Sequence, residues 1–165
     1  MAKIASQDPP SILKIPYTDL FNIFKEQTHN ATKDFILNEA KIKGKNYFNL
    51  FYKDSKKPWF YNKKIKRDMI VSINRCRADH YNLNSSLARI SIVEDQGCDC
   101  GWEKQDINHV IWQCPKYNDQ RTKMIDGLRN LKQYLPLDIN QLLIKPDILA
   151  LNHVYEFLKK CNIKL

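Results

Sequence analysis

"CDCGWEKQDINHVIWQC", Cys98 to Cys114, decides how the rest of this chain is read. Its seventeen residues hold Cys98, Cys100, His109 and Cys114, four side chains of the kinds that ligate zinc. Cys98 and Cys100 stand two apart, so a tight turn can aim both sulfurs at one point. Gly101, directly after them, permits the backbone conformation such a turn needs. Asp106 is suited to cap a helix over "INHVIWQC", which places His109 on that helix and Cys114 just past its end, at Pro115. Residues five apart do not share one face of an α-helix, so Cys114 must point back from the terminus. The C-x-C…H-x4-C spacing is less specific than paired C-x-x-C motifs. The alternative reading is two ordinary thiols and a surface histidine. A full set of four protein ligands leaves no open position for water, so the expected zinc is structural rather than hydrolytic.

Outward from this stretch the pattern is helical. Pro115 suits the first turn of a helix because its missing amide costs nothing there. That helix carries Tyr117, Arg121, Met124, Leu128 and Tyr134 and is expected to end at Pro136. "DINQLLI" forms a short helical turn. Pro146 and Asp147 start a last helix with Ile148, Leu151, Val154, Tyr155 and Leu158 on its apolar face. Upstream, Asn84 or Ser85 caps a short segment, and Ile65 to His80 repeats Met69, Ile70, Ile73 and Cys76 at helical spacing. Lys41 to Tyr52 is ambiguous, since Gly44 weakens a helix and its aromatics suit a strand or a packed turn. "YTDLFNIFKEQ" opens a helix capped by Thr18, and Asn30 caps a second. Met1 to Pro16, with three prolines, is a loosely ordered lead-in. The expected fold is mainly α: a helical bundle with a small zinc-organised knuckle or hairpin insert.

The chain has 165 residues, 43% hydrophobic, and a formal charge of +9. It can build a core, and its charge favours polyanionic partners. No apolar run reaches membrane-spanning length, and the N-terminus lacks the apolar core of a secretory signal. The expected place is inside the cell, in nucleus or cytoplasm, with no membrane partner. There the five cysteines stay reduced, and a Cys cluster points to metal before disulfide.

A second feature is "KKPWFYNKKIKR", Lys56 to Arg67. Lys56, Lys57, Lys63, Lys64, Lys66 and Arg67 interleave with Trp59, Phe60 and Tyr61. Basic groups neutralise phosphates and release counterions, while aromatics stack on exposed bases. Arg75, Arg77 and His80 continue the positive charge along the next helix. These lysines, arginines, His80 and Trp59 are the candidate nucleic-acid contacts, weighed against a solvated cationic face with Trp59 and Phe60 plugging the core. Trp102, in the knuckle, is either a stacking residue or a lid over the ligands. Cys76 and His80, four apart, form a conceivable thiol–imidazole pair. Cys76 lies on the apolar face, however, and core packing accounts for it better. The acids are sparse and mostly sit beside Lys or Arg, and no Gly-rich phosphate loop appears, so no catalytic residue is expected.

The segment Ile73 to Arg121 resembles the C-terminal region of jockey/I-like non-LTR retrotransposon polyproteins. The resemblance rests on Arg75, Arg77, His80, Cys98, Cys100, Gly101, His109, Cys114, Pro115, Tyr117 and Arg121. At Asp79 the sequence departs from it, since many members carry Gly there. "PYTDL" is similar to the entry of the helical linker before that region. Ala2, Lys3 and Ala5 match a segment near the end of the preceding RNase H domain. The last catalytic Asp of that domain would fall before Met1 in this alignment. The resemblance thus implies a lead-in over 1–16, a helical linker and basic region over 17–90, a CCHC zinc knuckle over 91–121 and C-terminal helices over 122–165. It implies a zinc-stabilised tail that holds RNA or DNA, or both, for a reverse transcriptase with RNase H, without catalytic activity of its own. Partners would be nucleic acid and the polymerase domains. The competing expectation is a structural or protein-interaction module, or a non-functional retroelement fragment, in which zinc only staples the fold.

Overall fold

The computed structural model describes residues 16–133 and 138–163. All regular elements among them are helical. By contact the chain divides into two compact units, Met1–Lys43 and Gly44–Leu165. The expectations for Met1 to Pro16, apart from Pro16 itself, and those for Tyr134 and Pro136 lie outside the described residues.

The first unit contributes α1, Tyr17–Ala40. It is one helix rather than two. No Gly or Pro interrupts these 24 residues, and Asn30 sits mid-helix instead of capping a second one. Pro16 occupies the N-cap position, so Thr18 lies inside the first turn, where its hydroxyl faces the Asp19 carboxylate at 3.4 Å. No residue of α1 is buried.

The second unit begins with Gly44, whose φ of 65° lies in the left-handed region, and α2, Lys45–Leu50. The ambiguous Lys41–Tyr52 stretch is therefore a turn and a short helix. α3 follows over Arg67–Arg77, with Asp68 in its first turn and Arg75 and Arg77 in its last, which complements the helix dipole at both ends. Its end is a Schellman motif. The Asp79 amide donates to the Cys76 carbonyl at 3.1 Å and the His80 amide to the Arg75 carbonyl at 3.0 Å. Asp79 therefore takes a positive φ, 51°, where glycine is the residue of least cost. The Asp79 carboxylate offsets that cost by accepting from Tyr81 at 2.6 Å and pairing with Arg89.

α4, Asn84–Arg89, leads into a loop, a π-helical turn over His109–Gln113 and a 3-10 turn over Pro115–Tyr117. Three helices then close the unit: α5 over Asn118–Asn130, α6 over Ile139–Ile144 and α7 over Ile148–Lys160. Asp138 and Asp147 cap α6 and α7 by accepting from amides two residues on, at 2.9 and 2.8 Å.

One core joins these pieces. Ile73 of α3, Leu128 of α5, Leu143 of α6 and Leu151 and Val154 of α7 are all fully buried. Val110 and Ile111, from the π-helical turn, are equally buried in the same cluster. The metal-ligand segment is thus built into the core. α5 and α7 pack closely enough that a Cβ on Gly127 would stand 2.4 Å from the His153 ring.

Candidate metal centre

Two segments deliver the four ligands. The first is a turn tied at its base: the Cys98 amide donates to the Trp102 carbonyl at 2.8 Å, and the Gly101 amide to the Cys98 carbonyl at 2.8 Å. Gly101 has φ 91°, so glycine is required for Cys98 and Cys100 to face the same side. Asn84 and Gln105 anchor the turn to α4. The Asn84 side chain donates to the Gly97 carbonyl at 2.6 Å, and the Gln105 side chain accepts from the Asn84 amide at 3.0 Å.

The second segment starts at Asp106, whose carboxylate accepts the His109 amide at 2.8 Å. The capping expectation holds. The helix that follows is widened, however: the Cys114 amide donates to the His109 carbonyl at 2.8 Å, an i→i+5 bond. Five residues at 3.6 per turn would leave the two side chains about 140° apart. The wider turn carries Cys114 back toward His109. The spacing that looked awkward on an α-helix is thereby accommodated.

All four ligand atoms lie within 4.8 Å of one another. Cys98 Sγ and Cys114 Sγ are 3.9 Å apart, and Cys100 Sγ and His109 Nε2 are 3.3 Å apart. A tetrahedral zinc with Zn–S bonds of about 2.3 Å sets its ligand atoms roughly 3.5–3.8 Å apart, so the residues present fit the ion. Nε2 is the imidazole atom aimed at the cluster, while Nδ1 is buried without a hydrogen-bond partner among the described residues. Cys98, His109 and Cys114 are buried and Cys100 is half-buried.

The electrostatics favour ligation. Burial holds the His109 imidazole below its ordinary pKa, which keeps it in the neutral, ligating form. Burial also raises the Cys100 thiol, but hydrogen bonds involving the Trp102 backbone and the Cys98 and Cys114 sulfurs outweigh it and leave that thiol below its usual range. Burial pushes the Cys114 thiol up to about 11, so a metal must displace its proton.

Arg121 braces the end of the widened turn. It is buried, and its Nε donates to the Ile111 carbonyl at 2.7 Å. Its Nη2 donates to the Val110 carbonyl at 3.2 Å and to the Cys114 carbonyl, and its Nη1 to the Asn118 side chain. One guanidinium thus satisfies the Val110 and Ile111 carbonyls, which the helix end would leave orphaned, and shares the Cys114 carbonyl with the Tyr117 amide. On the exposed side, Lys116 pairs with Asp99 at 2.8 Å, tying the 3-10 turn to the knuckle. That hydrogen bond holds the Asp99 carboxyl below its usual range. Trp102 lies flat on His109, with ring centroids 5.4 Å apart and planes 8° apart. It is a lid on the imidazole ligand, yet 54% of its own surface stays exposed.

The basic candidates divide. Lys56, Lys57, Lys63, Lys64, Lys66, Arg67, Arg75 and His80 are exposed, Trp59 is half-buried and Arg77 is buried. Lys57, Trp59, Lys63 and Arg77 line one groove of about 890 Å³, together with Lys53 and Lys145. Lys56, Lys64, Lys66, Arg67, Arg75 and His80 do not line it. Lys145 precedes the cap of α7 and is far from the basic segment in sequence, so no local pattern pointed to it. The Cys76 thiol is buried in the core and pushed up by burial to about 12, which suits packing and not nucleophilic chemistry.

Compared with protein-family models, with curated proteins and with solved structures, the chain matches none. No helix among the described residues is long and apolar enough to cross a membrane.

Proposed function

We propose that this chain is a zinc-stabilised nucleic-acid-binding module, acting as the C-terminal tail of a non-LTR retrotransposon reverse transcriptase/RNase H polyprotein. Cys98, Cys100, His109 and Cys114 hold one structural zinc, and the closed ligand set gives the ion no open position for chemistry. The observation that carries the reading is the convergence of these four side chains, with ligand atoms within 4.8 Å of one another, in a chain of net charge +9. Exposed lysines between Lys56 and Lys66 supply phosphate contacts, which position a strand without selecting its sequence. The retrotransposon assignment rests on the sequence resemblance alone. The module contributes grip rather than catalysis, and RNA, DNA and the parent polymerase domains are its partners.

Metal analysis of the purified chain tests the first half of this reading: one zinc per chain is expected, and less in Cys98→Ser and His109→Ala. Fluorescence anisotropy with RNA and DNA strands over a salt series tests the second half. Binding should weaken steeply with salt. A protein-interaction module is the second reading. It is favoured by α1, where Phe21, Phe24 and Phe35 are each at least half exposed. Binding to a polymerase fragment without binding to RNA or DNA at low salt would establish it instead.

A further inference from the structure

The groove lined by Arg77 has a feature that a solvated cationic face does not need. Arg77 is only 7% exposed and makes no ion pair among the described residues. Its Nη2 donates to the Phe51 carbonyl at 3.3 Å, and its guanidinium carbon stands 4.7 Å from the centre of the Phe51 ring and 5.9 Å from that of Trp59. Its Nε is buried and has no hydrogen-bond partner among the described residues. A desolvated cation with no ion pair among the described residues biases the groove beside it toward an anion, although its occluded Nε is closed to direct contact. Lys53, Lys57, Lys63 and Lys145 line the same groove. Among the described residues the one acid in its lining is Asp147, whose carboxylate already accepts two amides at the start of α7.

The other wall is aromatic. Trp59 and Phe60 meet edge to face, with centroids 5.5 Å apart, and both are half-buried. The Trp59 indole is fixed by its bond to the Asn74 side chain at 2.8 Å. Tyr47 completes the wall. At about 890 Å³ the space lies within the roughly 300–1,000 Å³ usual for ligand pockets. A cationic floor and a flat apolar wall complement a phosphate joined to a base. A stacked duplex presents phosphates but keeps its base faces covered, so it leaves such a wall unused.

We propose that this groove seats one unpaired nucleotide of a single-stranded nucleic acid, with its phosphate on the groove lysines in the field of Arg77 and its base against Trp59 and Phe60. This deepens, and rests on, the nucleic-acid-binding reading. The site would make the module select unpaired strand over duplex, while the exposed lysines outside the groove bind either.

The test uses the full chain and single strands of about twelve nucleotides, within the usual site size, carrying 2-aminopurine as the fluorescent base. Native protein should bind and quench the probe. The double variant Lys57→Ala/Lys63→Ala changes exposed side chains and should fold normally. It should weaken single-strand binding about tenfold and reduce quenching. Arg77→Gln, checked for folding by circular dichroism, should do the same. The control Lys64→Ala/Lys66→Ala lies outside the groove lining and should weaken strand and duplex alike while leaving quenching of the bound probe intact. Strand binding without quenching, unchanged affinity in the Lys57/Lys63 variant, or equal competition by poly-glutamate would overturn the groove proposal and leave general nucleic-acid binding standing. Failure to bind any strand at low salt would overturn both.

Discussion

The Cys114 amide bonds to the His109 carbonyl five residues before it, at 2.8 Å, and the π-helical turn that this bond closes brings both side chains together with Cys98 and Cys100. Widened turns of this kind are usually single and costly, and they persist where the surroundings fix them. Here Asp106 fixes the start and Arg121 the end.

Replacing Arg121 should therefore be among the most damaging changes outside the ligands. Arg121→Met leaves the carbonyls of Val110 and Ile111 buried and unmet, each costing about 1–3 kcal/mol, while the Cys114 carbonyl keeps the Tyr117 amide. A total loss of about 2 kcal/mol or more is expected in urea unfolding of the metal-loaded chain. Arg121→Lys should recover little, because an ammonium cannot reproduce the planar fork. Stability near native in either variant would contradict the bracing role.

Metal removal should expose thiols in a fixed order. With the ion bound, Cys161, half-buried and outside the cluster, is the thiol expected to alkylate first, while Cys76 stays protected in the core. A chelator should add Cys100 next, since it is the least buried of the three cluster cysteines. Mass spectrometry after timed iodoacetamide treatment reads this order directly. Rapid labelling of Cys98 and Cys114 with metal present would argue against the ligand set.

The response to pH follows from the groups that burial shifts. In the metal-free chain His109 titrates below its unfolded value, so the unfolded state binds the extra proton in that interval. The His109 contribution is complete above about pH 6.5, the ordinary histidine value, and is lost as pH falls through the folded value. Cys76 works the other way. Its thiol is raised to about 12, so its contribution is present below the ordinary thiol range of about 8.5 and is lost as pH rises toward 12. Urea midpoints of the metal-free chain should therefore decline toward both ends of a pH 5 to 11 series. In His109→Ala the acid-side decline should shrink.

Asp79→Gly should be nearly neutral and Asp79→Ala clearly destabilising, by about 1 kcal/mol relative to the Gly variant. Glycine relieves the left-handed backbone while losing the Tyr81 and Arg89 contacts, whereas alanine loses the contacts and keeps the strain. Thermal midpoints of the three proteins separate these cases.

Gly127 and His153 should be coupled. Gly127→Ala places a methyl group against the His153 ring. In a His153→Ala background the same change meets no ring and should stabilise α5 by about 1 kcal/mol through helix propensity. A double-mutant cycle showing simple additivity would mean that the ring moves away without cost.

Ligand chemistry was legible in the sequence because Cys and His are few and their types are specific: Cys98, Cys100, His109 and Cys114 could be named from spacing alone. The helical class, the cap at Asp106 and the helix start at Asp147 were legible because propensity and capping act within a few residues, whereas the cap at Asp138 emerged only in the structure. Asp79 was visible as a departure from the resembled pattern, but its positive φ emerges only where α3 ends. Helix boundaries were less legible. Asn30 looks like a cap, yet continuous propensity from Tyr17 to Ala40 overrides it.

Tertiary structure alone decided the rest. The widened turn at His109 has no local signature, since its reason is the position of Cys98 and Cys100 on another segment and of Arg121 on α5. Trp102 was ambiguous in sequence, and its stacking on His109 depends on where the knuckle places it. Arg77 and Lys145, 68 positions apart in sequence (145 minus 77), meet in one groove only because α3 and the start of α7 pack on the same core. Sequence thus determined which chemical groups the chain owns and which short stretches turn helical, because those depend on residue type and near neighbours. Long-range packing determined which groups face one another and which lose their water, and that sets what they can hold.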